Sequence, residues 1–234
     1  MLGEPIASAL RKLHVFTKFN KSKKQLQSAK PMVIGQPAGS LILEYTVGAH
    51  TVRLADAGGS VEYYVASKLS PETYRLVEER LDDVLLLLRR GNDLGDVVVT
   101  VLGVDRGRAS DALYALRTIT GYGKLQVLLD DPYITEISVE EPGRVWIRHT
   151  IVDFERPEQD FIPTNIVFNS KGEVVQMQQV IATKCGTYLS TSNPIIDTQL
   201  PLSDGGHRVH MVFPTVSKNM PEIVIRKKLP MPLQ

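Results

Sequence analysis

Leu189-Ser-Thr-Ser-Asn-Pro-Ile-Ile-Asp197, Leu200-Pro201, Asp204-Gly205-Gly206-His207-Arg208-Val209 and Ile223-Val224-Ile225-Arg226-Lys227 form the stretch on which the rest of this chain depends. A tight Asp-Gly-Gly turn leads directly into an alternating run, Arg208 to Phe213. Pro214 breaks that run, and a second β-rich segment from Ile223 to Ile225 ends in basic residues. Two apolar runs joined by a loop of this kind predict an antiparallel pair. Arg208 opens the first strand and Arg226 closes the second, so the pairing brings both to the same edge of the sheet. Two converging guanidiniums suit a phosphate, because each planar fork binds anionic oxygens bidentately and stays charged. Pattern alone leaves a second reading open, in which each arginine pairs with a carboxylate on a solvated edge.

Upstream of this pair the signals alternate between helix and strand. Arg108 to Thr120 carries Ala112, Leu113, Leu116 and Ile119 on one side and predicts a helix. Gly121-Tyr122-Gly123 interrupts it, a short helix is expected at Leu125 to Leu129, and Asp130-Asp131-Pro132 breaks the chain. Ile134 to Val139 and Arg144 to His149, joined by Glu140-Glu141-Pro142-Gly143, predict a hairpin. Asn165 to Phe168 reads as a strand, and Val174 to Cys185 as a helix ending at Gly186. That order predicts an α+β fold: a mostly antiparallel sheet with helices packed on it.

The N-terminal half is read in the same way. Leu41 to Val47, Thr51 to Leu54 and Val61 to Val65, with Gly48 and Gly58-Gly59 between them, predict a three-stranded meander. Ser70-Pro71 is a hydroxyl cap followed by proline at the first helical position. Tyr74, Val77, Leu81, Val84, Leu85 and Leu88 then recur at helical spacing up to Gly91. Asp96 to Val104 is ambiguous, since the β-branching of Val97-Val98-Val99 favours strand while helical neighbours could override it. The expected organisation is therefore a basic arm and linker over 1–40, a meander-plus-helix subdomain over 41–107 and the α+β domain over 108–234.

Composition narrows the function. The single cysteine, Cys185, excludes an internal disulfide framework and a cysteine zinc cluster. Burial of an inert thiol is the plainer expectation for it. The longest apolar run, Val84 to Leu88, is too short to span a bilayer. Residues 1–30 hold seven Lys/Arg side chains against Glu4 alone, a balance of +6, while the remaining 20 basic and 25 acidic residues give −5. Such an arm could rest on an anionic membrane surface or an acidic partner, or simply be solvated. It lacks the interleaved aromatics that base stacking needs, so nucleic acid is not expected as a partner. The five histidines, His14, His50, His149, His207 and His210, make no metal-ligand pattern.

In order, the chain carries the phrases Gly121-Tyr122-Gly123-Lys124, Asp131-Pro132-Tyr133-Ile134 with Glu136-Ile137-Ser138, Val145-Trp146-Ile147-Arg148-His149, Thr164-Asn165-Ile166, Ser192-Asn193-Pro194-Ile195, Leu200-Pro201, Asp204-Gly205, Arg208-Val209 and Ile225-Arg226-Lys227. Taken together, these phrases resemble the N-terminal region of the type II/type IV secretion-system ATPases, specifically the archaeal group that drives pilus and archaellum assembly. They run in register over roughly residues 108 to 228, whereas residues 1–107 match only loosely. The resemblance implies a PAS-like domain that covers a P-loop motor domain within a cytoplasmic homo-hexamer, peripheral to the membrane and working with an integral membrane assembly protein. It implies that Arg208 and Arg226 reach the γ-phosphate of ATP, with Mg2+ held together with the motor domain. Two departures stand out: the loop before Arg208 is longer than the family's Leu-Pro-Asp-Gly-Ser-Arg, and Lys228 replaces the aromatic that usually follows Ile-Arg-Lys. The family's P-loop would lie beyond that phrase, so the resemblance implies a piece that covers only the N-terminal half of the motor protein. A non-enzymatic docking module, binding a membrane partner or anionic lipid through its N-terminal region, is the competing reading.

No Gly-x-x-x-x-Gly-Lys-Ser/Thr occurs in the chain. Purified to homogeneity, it is therefore expected to hydrolyse ATP no faster than buffer, and turnover that co-purifies with it through successive columns would contradict this.

Overall fold

The computed structural model describes residues 39–105, 107–140, 142–216 and 220–228. The basic arm expected at 1–30, and the expected linker up to residue 38, lie outside the described residues. The fold is α+β, built on a nine-stranded, mostly antiparallel sheet with helices. Its strands are β1 (Ser40–Val47), β2 (His50–Asp56), β3 (Val61–Ser67), β4 (Ile134–Val139), β5 (Gly143–His149), β6 (Ile162–Phe168), β7 (Ile195–Gln199), β8 (Arg208–Val212) and β9 (Glu222–Arg226). They lie in the order β1-β2-β3-β6-β5-β4-β9-β8-β7. The pairs β4·β5, β4·β9, β5·β6, β7·β8 and β8·β9 are antiparallel, and β3·β6 is parallel.

Contacts divide the chain into two units. One is helical and takes in Gly48–His50 and Ser67–Gln126; the other holds the strands and everything from Val127 onward. This partition departs from the expected division near residue 107. The meander strands belong with the sheet, and the helix after residue 108 belongs with the helices before it.

The helical unit contains α1 (Pro71–Glu79), α2 (Leu81–Arg89), α3 (Leu94–Leu102) and α4 (Ala109–Thr120). Ser70 caps α1 by accepting from the Thr73 N–H at 3.2 Å, with Pro71 in the first turn. The single helix expected from Ser70 to Gly91 is broken at Arg80, where α1 ends and α2 begins. The ambiguous run at Asp96 to Val104 resolves as a helix. The Asp93 carboxylate accepts from the Gly95 N–H at 2.8 Å, and Gly103 ends the helix with φ 62°. Val97, Val98 and Leu102 are buried among Val77, Val84, Leu113 and Leu116. Burying each such side chain contributes roughly 1.5–3 kcal/mol, more than the helix propensity that valine sacrifices. Tertiary packing thus overrides the β preference of that run.

In the sheet unit, α7 (Lys171–Lys184) starts at the Ser170 cap, whose hydroxyl accepts from the Glu173 N–H at 3.2 Å. Gln178, fully buried on α7, donates to the Val212 and Glu222 carbonyls at 2.8 and 2.9 Å. Those bonds tie α7 to the end of β8 and the start of β9. Between these elements and the first strands lie α5 (Gln126–Asp130) and α6 (Thr150–Glu155), the latter without a signal in the sequence reading. The edge strand β7 was also not anticipated.

The parallel seam between β3 and β6 is short, with Tyr63 opposite Thr164. Side-chain amides continue it where backbone pairing stops. Asn165 Oδ1 accepts from the Val65 N–H at 2.9 Å while its Nδ2 donates to the Val65 carbonyl at 3.0 Å. Gln159 Oε1 accepts from the Val61 N–H at 3.1 Å. Because Asn165 satisfies both polar groups of Val65, Asn165→Ala should destabilise the sheet unit by about 1–3 kcal/mol. Urea unfolding reads the loss, and amide exchange at Val65 should accelerate in parallel; unchanged exchange there would show that the clamp contributes nothing.

Candidate functional site

The two arginines singled out from the sequence are register partners, and their side chains lean to opposite neighbours, β7 and β4. Arg208, at the start of β8, lies directly opposite Arg226, at the end of β9. Directly opposed residues of an antiparallel pair project from the same face, with Cα atoms about 4.5–5.5 Å apart. Alternation then sorts the two strands. Val209, Met211, Ile223 and Ile225 are fully buried on one face, and Arg208 and Arg226 are exposed on the other.

Like charges placed directly opposite each other destabilise a sheet unless something offsets them. Here each arginine has a carboxylate. Arg208 Nη2 lies 3.2 Å from Asp197 Oδ1 on β7, and Arg226 Nη2 lies 3.4 Å from Glu136 Oε2 on β4. The guanidiniums remain 67% and 71% exposed, so both pairs are solvent-screened and contribute little. Asp197 also meets His210 Nδ1 at 3.2 Å, and His210 together with Arg208 holds its carboxyl below the usual carboxylate range. His210 therefore shares the face of Arg208, whereas His207 turns inward. An incoming anion of higher charge density can displace such pairs, since Arg208 reaches only one oxygen of Asp197 and Arg226 only one of Glu136, while a phosphate offers each fork two.

The edge is held by interactions that sequence reasoning missed. Gly205 and Gly206 adopt φ 94° and 59°, a left-handed turn that only glycine enters without strain. A Cβ at Gly205 would sit 2.5 Å from the His207 ring, so the glycine also makes room for it. His207 is buried, and its Nδ1 accepts from the Lys228 N–H at 3.1 Å, joining the start of β8 to the chain just past β9. Burial, with Lys227 and Lys228 nearby, lowers its pKa to about 4.

Lys227 points into the protein. Its Nζ donates to the Leu128 carbonyl at 3.2 Å and to the Asp131 carbonyl, and burial lowers its pKa to about 8. The Asp131 side chain is itself fully buried. Its Oδ2 accepts from the Tyr45 and Tyr63 hydroxyls, each at 2.7 Å, and its Oδ1 from the Tyr133 N–H at 2.9 Å. Tyr45 spends its proton on Asp131, so its oxygen must accept from His149 Nε2 at 2.9 Å. His149 is then neutral with its proton on Nε2, and its buried Nδ1 has no partner. Burial lowers the His149 pKa to about 4 and, with the Asp131 charge, raises both tyrosines. The signal available in the sequence was Asp131-Pro132-Tyr133, which marks a break but does not say that the carboxylate turns inward. Cys185 is half-buried, and burial pushes its thiol up, away from nucleophile chemistry.

Among the described residues no helix is long and apolar enough to cross a membrane. No group of three or more His, Cys, Asp or Glu side chains there could hold a metal ion.

No protein-family model matches the chain. It is 31% identical over 123 residues to a Methanocaldococcus jannaschii protein named "Uncharacterized protein MJ0900", a match covering 52% of this chain and 20% of that protein. A second protein of the same organism, "Uncharacterized protein MJ1288", is 29% identical over 89 residues, covering 38% and 32% respectively. The matches thus span a fifth to a third of the length of these relatives. Among solved structures, the chain is similar to the VirB11 ATPase from the Brucella suis type IV secretion system in complex with sulphate. The TM-score is 0.36 at 23% identity, over 44% of this chain and 28% of that one.

The buried neutral His149 has a consequence for pH. Its folded pKa of about 4 lies below its ordinary 6.5, so the unfolded chain binds the proton first as pH falls. Stability is complete above pH 6.5 and is lost between 6.5 and 4, by up to about 3 kcal/mol from this group. Denaturant melts across that window should show the decline. His149→Gln, which cannot titrate, should flatten part of it; an identical slope in the variant would remove His149 as the source.

Proposed function

We propose that this chain is the N-terminal regulatory and assembly domain of a hexameric secretion or pilus/archaellum-assembly ATPase. In this reading it covers the nucleotide cleft of a P-loop motor domain and supplies Arg208 and Arg226 to the γ-phosphate. The observation that carries the reading is the register of β8 on β9, which sets the two arginines opposite each other with both guanidiniums exposed. The ordered phrases between residues 108 and 228 support the same assignment.

The residues present suit the phosphate end of ATP. Arg208 and Arg226 are donors only and permanently charged; Arg208 donates from Nε and Nη2 to one Asp197 oxygen and Arg226 makes one contact to Glu136, all of them solvent-screened. They do not supply a metal site, so Mg2+ in this proposal is held by the phosphates and the motor domain. When bound, the nucleotide supplies the reacting phosphoanhydride; this domain contributes charge. Arg208 and Arg226 neutralise negative charge at the terminal phosphate, and the exchange of Asp197 and Glu136 for that phosphate reports its presence to the sheet edge. The Lys227 and His207 contacts keep the ends of β8 and β9 from separating while this occurs. The integral membrane assembly partner, and an anionic membrane surface met by residues 1–30, belong to the same proposal. Co-sedimentation with anionic vesicles that is indifferent to deleting residues 1–30 would dispose of the membrane contact.

In the protein that joins this chain to its P-loop domain, Arg208→Ala or Arg226→Ala should lower kcat by roughly 10- to 1,000-fold, as for other losses of preorganised charge. ATP turnover measured with saturating substrate decides the matter: two variants that both turn over like the parent would remove the phosphate role.

A further inference from the structure

The phrase Ile225-Arg226-Lys227-Lys228 puts two lysines side by side, and the structure gives them opposite fates. Lys227 is committed to the Leu128 and Asp131 carbonyls and half-buried. Lys228 is exposed, and among the described residues no carboxylate lies within ion-pairing distance of it. This contrasts with Arg208 and Arg226, each of which has an acidic partner.

Lys228 is nonetheless fixed in place. Its backbone N–H donates to His207 Nδ1 at 3.1 Å, which extends the β8·β9 pairing past Arg226 through a side chain. In extended chain, residues two apart project from the same face, about 6.6–6.8 Å from each other. The direction of its ammonium is given by Gly206: a Cβ built there would lie 3.7 Å from Lys228 Nζ. The ammonium therefore stands beside the bare Gly205-Gly206 turn that leads into Arg208. Three cations border one stretch of sheet edge: Arg208 on β8, Arg226 opposite it, and Lys228 one step further along. The acidic groups near them are Asp197, Glu136 and Asp204; the first two are engaged by Arg208 and Arg226, and Asp204, in the turn, exerts its charge on His207 and on Lys184 at the end of α7.

We infer that Lys228 is a third phosphate-binding cation of this edge, and that the three together select a chain of phosphates over a single one. The inference rests on the phosphate reading of Arg208 and Arg226 and extends it. A monophosphate bridged by the two arginines, once they leave Asp197 and Glu136, leaves the ammonium one step away unused. A polyphosphate, whether the triphosphate of a nucleotide or inorganic, can run from the arginine pair to Lys228 past Gly205 and Gly206, which carry no side chain of their own, with Leu202 beside them. A lysine serves here as a mobile point charge, which tolerates differing phosphate positions better than a rigid fork.

The test uses the chain itself with inorganic phosphate, inorganic tripolyphosphate and ATP, titrated calorimetrically at low ionic strength. Tripolyphosphate should bind more tightly than phosphate. Lys228→Gln should weaken tripolyphosphate by about 5- to 10-fold, the size of one screened charge contact, while leaving phosphate within about 2-fold. Lys228→Arg should restore the affinity, and Lys171→Gln, a lysine on α7, should change nothing. Equal losses for ATP and tripolyphosphate identify the phosphate chain as the ligand; a loss confined to ATP would overturn that identification. If Lys228→Gln binds tripolyphosphate like the parent while Arg208→Gln does not, the third cation is wrong and the arginine pair stands. If Arg208→Gln and Arg226→Gln also bind like the parent, the pair falls with it.

Discussion

A fully buried carboxylate, Asp131, is the constraint around which the sheet unit closes. Leaving such a group without partners would cost several kcal/mol, so its surroundings must supply donors or the fold fails. They come from distant parts of the chain: hydroxyls from Tyr45 on β1 and Tyr63 on β3, and the N–H of Tyr133 just ahead of β4. His149, at the end of β5, secures Tyr45 from behind. The backbone carbonyl of Asp131 accepts from the ammonium of Lys227, just past β9. One aspartate thereby references the meander, the central hairpin and the end of β9 to a single point.

That reference point explains how a surface pair of arginines can be precise without being buried. Guanidiniums at 67% and 71% exposure have little packing of their own to orient them. Their positions derive from the strands, and the strand ends are anchored by Lys227 below and by His207 across the gap to Lys228. Anchored backbone with loosely paired, exposed cations suits the phosphate role proposed for this pair. Strong buried clasps would have fixed the side chains and removed them from any such use.

Much of the architecture was legible from residues. The hairpins came from period-two alternation bounded by Gly and Pro, as in Ile134 to His149. Helix starts came from Ser70 with Pro71, and the ends of helices from Gly91 and Gly186. The backbone opposition of Arg208 and Arg226 followed from antiparallel pairing. What escaped were features whose cause lies elsewhere in the chain. The Val97-Val98-Val99 run is helical because Val97 and Val98 are buried with Val77, Val84 and Leu116; the edge strand β7 exists because β8 offers it a ladder; the meander joins the sheet because Asn165 and Gln159 reach its backbone.

By itself, then, the sequence determined the class of fold, the pairing of β8 with β9 and the presence of two arginines at one rim, since all of these follow from local periodicity and turn chemistry. Only the tertiary structure decided which neighbours are inward and which outward. Lys227 and Lys228 are the same residue type, one position apart, and one is held by buried carbonyls while the other meets solvent. Asp130 and Asp131 are equally indistinguishable on paper. Burial of a charge depends on partners assembled from far along the chain, and no local pattern encodes where those partners will be.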